Sequence, residues 1–138
     1  MWSDTCYNTG LGSFQKWWIG NVVRALLLAD EGVSGIVGED VFPIVAPENT
    51  DGEFIIYRRV AYSKQVVKEG VYQDKCNLEL VVVSDNYDNS VALAELIDNC
   101  LTGNHTTDEG EKFSMLLADS SEGFDDNKYW QKLNFEII

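Results

Sequence analysis

DKCNLELVVVSDNYDNSVALAELIDNCLTG, residues 74–103, decides the fold, because it reads as one long apolar strand running directly into one capped amphipathic helix. Cys76, Leu78, Leu80 and Val82 alternate with Asn77, Glu79, Val81 and Val83, and side chains along a strand alternate faces. The first set is expected in a core and the second half-exposed. The polar run Asp85-Asn86-Tyr87-Asp88-Asn89-Ser90 then supplies side-chain oxygens for the free N–H groups of a first helical turn. A helix is expected from near Asn89, with Leu93, Leu96, Ile97, Cys100 and Leu101 spaced as one apolar stripe, ending at a left-handed Gly103.

Upstream, Met1 to Gly12 carries no periodic pattern and reads as an arm, leaving residues 13–138 as a single domain. From Ser13, a plausible cap, Phe14, Trp18, Val22, Ala25, Leu26 and Ala29 can share one side of a helix ending near Gly32. Trp17 falls outside that stripe and is a candidate subunit contact. Gly32, Gly35 and Gly38 read as a turn-rich stretch before a short edge strand, Val41-Phe42-Pro43-Ile44. Pro47 to Gly52 reads as a loop, and Phe54 to Tyr62 as a strand whose Arg58 and Arg59 point to opposite faces, at least one meeting a carboxylate. Ser63 to Gln73 reads as an exposed hairpin arm or loop.

Downstream, Thr102 to Glu111 is a polar connection and Lys112 to Ala118 a strand. Asp119 to Lys128 reads as an acidic loop, and Tyr129 to Ile138 as a closing strand that pairs with its predecessor in a hairpin. Strands joined by short loops should pair antiparallel. The expected fold is therefore α+β: an antiparallel sheet of four to five strands with two helices packed on one face, in the order α-β-β-β-α-β-β, and an open second face.

The chain of 138 residues has the length of one domain. No apolar run approaches the roughly 20 residues of a membrane span, and Met1-Trp2-Ser3-Asp4 does not resemble a signal peptide, so a soluble protein made in the cytosol is expected. Cys6, Cys76 and Cys100 have no metal-ligand spacing and read as buried free thiols. A formal charge of −13 argues against binding nucleic acid through its phosphates.

No catalytic constellation can be assembled, so no enzyme, cofactor or metal is expected. His105, the single histidine, lies in a polar stretch without a partner Ser or Cys and reads as a solvated loop residue. Asp85 to Asn89 fails calcium-loop spacing and is better explained by helix capping. Asp119, Glu122, Asp125 and Asp126 read as a solvated acidic loop.

Three segments together resemble the tail-completion or tail-terminator proteins of tailed bacteriophages: Val41-Phe42-Pro43-Ile44-Val45-Ala46-Pro47, Phe54 to Val60, and the strand to Ser84 followed by Tyr87 to Ile97. The resemblance runs from about Val22 to Ile138 in element order; an N-terminal arm with Trp2, Cys6, Tyr7 and the Trp17-Trp18 pair departs from the family's short start. It implies a subunit of the virion, assembled in the host bacterium's cytoplasm, that forms a ring, commonly six-membered. Such a ring caps the tail tube and joins it to the head connector, with DNA passing through without being held. Its partners would be further copies of itself, the tail-tube protein and the head–tail connector, with no membrane.

On this reading Trp17, Ile55, Tyr57, Val81 and Val83 are expected at the subunit interface. Lys64 and Lys68, in one loop, and Asp119, Glu122, Asp125 and Asp126, in another, are candidates for lining the channel or meeting a partner. The competing expectation is a monomeric, non-enzymatic adaptor that holds a partner peptide at its sheet edge.

Overall fold

A computed structural model describes residues 16–66 and 72–138; the expected arm, Ser13, Phe14 and Lys68 lie outside them. A 3₁₀ turn, Lys16–Trp18, leads into helix α1 (Ile19–Ala29) and then α2 (Glu31–Val37). Strands β1 (Val41–Pro43), β2 (Phe54–Val66) and β3 (Tyr72–Ser84) follow. Helix α3 (Tyr87–Leu101) precedes β4 (Gly103–Thr106), β5 (Lys112–Asp125) and β6 (Lys128–Ile137). The six strands form one sheet in the order β1-β2-β3-β6-β5-β4, and α1 to α3 pack on one of its faces.

The central strand–helix unit forms as its sequence dictates. Cys76, Leu78, Leu80 and Val82 are fully buried, while Asn77, Glu79, Val81 and Val83 are half-exposed on the opposite face. Asn86 caps α3 by accepting from the Asn89 N–H at 3.0 Å, so the helix begins at Tyr87, two residues before the expected start. Leu93, Ile97 and Leu101 are buried, and Leu96 and Cys100 pack against the core from its rim. Gly103, at φ +125°, follows the Thr102 cap and opens β4.

The sheet differs from the antiparallel, four- to five-stranded expectation in three respects. First, β1 pairs parallel to β2, with Val41 opposite Ile55 and Pro43 opposite Tyr57. The chain between them loops back to the start of β2 instead of making a hairpin, and Ile44 takes the corner at φ +68°. Its neighbours close a three-residue turn, the Val45 N–H donating to the Pro43 carbonyl at 2.7 Å.

Second, the expected acidic loop is strand. β5 runs on to Asp125, and the two-residue turn Asp126-Asn127, with φ of +51° and +62°, joins it to β6. Positive φ at both central residues is the turn whose twist matches a hairpin, and short polar side chains tolerate it. Third, the polar connection contains β4, an edge strand paired to β5 from Gly103↔Met115 to Thr106↔Lys112. The expected arm between the second and third strands is a β2–β3 hairpin, paired out to Val66↔Tyr72.

The N-terminal helix is two helices, so three pack on the sheet where two were expected. Asp30 breaks the run and caps α2, accepting from the Val33 N–H at 3.0 Å, which places Gly32 and Gly35 inside a helix. The buried stripe of α1 is Ile19, Val23 and Leu27, one residue away from the expected Trp18, Val22 and Leu26; Trp18 is 67% exposed. Lys16 is buried where α1 begins, its Nζ 3.3 Å from Asp74 Oδ2. The Tyr62 hydroxyl reaches the same carboxylate oxygen at 3.4 Å and accepts from the Lys16 N–H at 3.3 Å.

Candidate interaction surface

Register assigns every strand residue a face. On the face away from the helices, Ile56 stands opposite Val81 and Phe54 opposite Val83, with Phe42 beside Ile56 and Trp130 beside Val83. The rings of Phe42 and Phe54 lie 6.4 Å apart. These six side chains form an apolar strip across the middle of the open face. All but Phe54, which is buried, are half-exposed.

A polar half adjoins the strip. Glu79 accepts from Arg58 Nε at 2.9 Å and lies 3.8 Å from Lys132 Nζ. Arg58 thus meets the expected carboxylate, while Arg59, on the opposite face, donates to the Trp17 carbonyl at 2.8 Å and lies 4.8 Å over its ring. Asn134 donates to Asp119 at 3.4 Å, while its own Oδ1 is buried without a donor among the described residues.

Two expected interface residues are not on this surface. Ile55 is fully buried and Tyr57 is 7% exposed, both in the core under the helices. Their strand is apolar on both faces, and only its pairing with β3 decides which side is covered. Ile55 stands opposite Val82, and Tyr57 opposite Leu80. Val81 and Val83 do lie on the open face, and Trp17 is 59% exposed at the start of α1, its ring edge-on to Tyr62. Register reasoning missed Ile56, Phe42 and Trp130; the alternation of Trp130 with Tyr129 was the signal for the last.

The acidic residues of β5 and its turn do not converge. Asp119 faces the open side with Asn134, whereas Glu122 accepts from the Tyr87 hydroxyl at 2.9 Å and from Gln131 Nε2 at 3.1 Å on the helix side. The hydrogen bond from Gln131, then that from Tyr87, holds the Glu122 carboxyl below its ordinary range. Asp125 pairs across the hairpin with Lys128, and Asp126 occupies the turn. No group of carboxylates, histidines and thiols able to hold a metal ion occurs among the described residues.

His105 differs from the solvated loop residue expected. It is half-buried in β4, stacked on Phe113 with 5.2 Å between ring centres, and its Nε2 lies 2.6 Å from the Leu101 carbonyl. A carbonyl only accepts, so that nitrogen carries a hydrogen. A shallow depression of about 390 Å³ beside it is lined by Asn104, Thr106, Lys112, Ser114 and Ile138; the Ser114 hydroxyl donates to Asn104 Oδ1 at 2.6 Å, and the His105 Nε2 is taken by the Leu101 carbonyl.

Of the thiols, Cys76 is fully buried and Cys100 half-buried, donating to the Leu26 carbonyl at 3.7 Å; Cys6 lies outside the described residues. Burial raises the Cys76 thiol and pushes Cys100 up to about 11, the nearby Asp30 carboxylate adding to the second. Cys100 lacks the electropositive setting of a reactive cysteine, and at Cys76 burial outweighs the lowering by the nearby Lys16 and Arg59 charges. No described helix is long and apolar enough to cross a membrane.

The sequence matches no known family model and no curated protein.

Proposed function

We propose that this chain is a structural subunit of a tailed-phage virion, a tail-terminator-like protein that assembles with copies of itself into a ring. The ring closes the head-proximal end of the tail tube and meets the head connector, with DNA passing through. One observation carries the reading. The open face presents Phe42, Ile56, Val81, Val83 and Trp130 as one apolar strip that no described element covers. A contiguous half-exposed apolar strip of this kind favours a protein partner over water.

Two further observations support it. The buried Asn134 Oδ1 has no donor within the described residues, so the face is polar-incomplete as well as apolar. The net charge of −13 suits a wall past which DNA slides without being held. An adaptor binding a peptide at its sheet edge is the second reading, and the outer side of β2 beyond Tyr57, which no described strand pairs, favours it.

The test is assembly and its effect on the tube. Light scattering and electron microscopy of the purified chain are expected to show rings, and adding it to polymerising tail-tube protein is expected to stop elongation. A chain that stays monomeric at high concentration and leaves the tube growing would reject the function.

A further inference from the structure

Strand β5 is longer than the strand that covers its outer side. β4 pairs with it only as far as Met115, and beyond that residue no described strand takes up its outer row of N–H and C=O groups. A bulge between Leu117 and Asp119 turns the strand, and Asp119 to Asp125 then run regularly against β6. An unpaired strand border is a template for one more strand. The acidic side chains on this one repel a strand of like charge and accept a cationic one.

Helix α3 lies alongside this border, and a groove of about 240 Å³ runs between them. Val91 and Ala94 form its apolar wall on the helix, Leu117 and Ser120 line it on β5, and the buried Leu133 is its floor. Register then puts Ser120, Glu122 and Phe124 in succession on the helix side of β5, opposite Leu133, Gln131 and Tyr129. Phe124 is 58% exposed, its ring 4.7 Å from that of Tyr129. The border therefore offers two apolar seats, the groove and the Phe124 ring, with the Glu122 carboxylate between them.

The charge beside these seats is all of one sign. Glu95 and Asp98 stand on α3 at the rim of the groove. Asp98 and Glu122 accept from neutral donors, Thr102, Tyr87 and Gln131, which leave their negative charge in place. Lys132 also borders the groove, but its ammonium is turned to the open face, 3.8 Å from Glu79 and 5.6 Å over the Trp130 ring.

We propose that a cationic segment of another protein docks here as a strand added to β5. Side chains of a strand alternate faces, so its residues i, i+2 and i+4 stand on the helix side. They are an apolar anchor in the groove beside Ser120, a Lys or Arg beside Glu122, and an apolar anchor on Phe124. Backbone pairing supplies affinity, and the anchors with their charges supply selectivity. The chain itself carries 23 acidic against 10 basic residues, which favours a cationic partner here over a further copy. The docking goes beyond assembly through the open face and does not depend on it, because the groove lies on the helix side of the sheet.

The experiment is titration of the full chain, followed by amide chemical shifts, with the end-capped peptide Lys-Thr-Leu-Thr-Lys-Thr-Phe-Thr-Lys and with its counterpart carrying Glu for every Lys. The lysine peptide is expected to bind and to shift the amides of Asp119 to Asp125, and the glutamate peptide is expected not to bind. Ser120→Phe, at an exposed strand position, fills the groove, and Glu95→Lys, at an exposed helix position, reverses its rim. Each is expected to weaken binding by about tenfold or more with an unchanged circular dichroism spectrum. Should Ser120→Phe fail to fold, Glu95→Lys decides alone.

Binding that survives both substitutions would be a general attraction between a polycation and an acidic chain, and would overturn the docking. Absence of binding, or shifts confined to the outer edge of β2, would overturn it too. Self-association that Ser120→Phe abolishes would seat a second copy in the groove and overturn the assignment to a foreign strand.

Discussion

Tyr57 packs its ring on the bare backbone of Gly20, so closely that a β-carbon built at residue 20 would lie 2.7 Å from Tyr57 Cε1. Helix α1 approaches β2 at this distance only because position 20 has no side chain. Gly20→Ala gains about 1 kcal/mol of helix propensity. It must also displace a buried aromatic ring, at about 1–3 kcal/mol. A net loss of about 1 kcal/mol is expected, read as a lowered midpoint in thermal or urea unfolding. A stabilised variant would mean that the ring moves aside freely.

On the open face Trp130 covers Gly123, where an added β-carbon would lie 2.6 Å from Cε2 of the indole. Gly123→Ala is expected to lift the ring off the sheet with little change in overall stability. Trp130 stands beside Val83 in the strip, so assembly should weaken by more than folding does. Indole fluorescence would report the displacement, and light scattering the assembly.

Val81→Asp and Val83→Asp are each expected to leave a folded monomer and to block assembly. Both residues are half-exposed, so a carboxylate there keeps contact with water in the monomer and loses it under a neighbour. Circular dichroism with light scattering separates the two effects. Unfolding of both variants would mean that this face is already sealed in the monomer.

Cys76 and Cys100 should be inert in the folded chain. With its thiol at about 11 against an ordinary 9.0, Cys100 holds on the order of a hundredfold less thiolate at pH 8 than a free cysteine. Iodoacetamide labelling followed by mass spectrometry is expected to show slow reaction at Cys100. Reaction at Cys76 is expected only after denaturation.

Glu122 titrates below the ordinary carboxylate range, held there by donors from Gln131 and Tyr87. A depressed folded-state value means that its contribution to stability is present above the unfolded carboxylate's pKa. It is lost as pH falls through the folded value. Tyr87→Phe removes one donor and is expected to move the Glu122 titration upward in a carboxylate NMR experiment. No movement would show that Gln131 alone sets it.

The sequence was most legible where one face of an element is apolar and the other is not. Cys76 to Val82 and Leu93 to Leu101 have that contrast, and both faces were assigned correctly. Helix α1 has such a face, but Ile19, Val22, Val23, Leu26 and Leu27 make it broad, so the true stripe and one displaced by a residue fit the same spacing. The Phe54-Ile55-Ile56-Tyr57 run is ambiguous for the same reason, which is why two core residues were expected at an interface.

Polar edges were the other blind spot. Gly103 to Thr106 has no apolar alternation, since its outer side pairs with nothing and little of it is buried. The Asp126-Asn127 turn was readable in principle, as two residues tolerant of positive φ lie between alternating segments. The dense acidity around them disguised strand as loop. The open face itself was foreseen from Val81 and Val83, but its extent depended on register between strands distant in sequence.

The parallel pairing of β1 has a consequence for which changes of length the fold can absorb. A hairpin turn can be rebuilt around an altered loop, but Ile44 through Glu53 must travel back the full length of β1 before β2 can start beside it. Added residues there only slacken the path, at a small entropic cost. Removing several would pull Val41 to Pro43 out of register and bare Ile55 to Tyr57, extending to its start the outer edge that β2 already leaves unpaired beyond Tyr57 among the described residues.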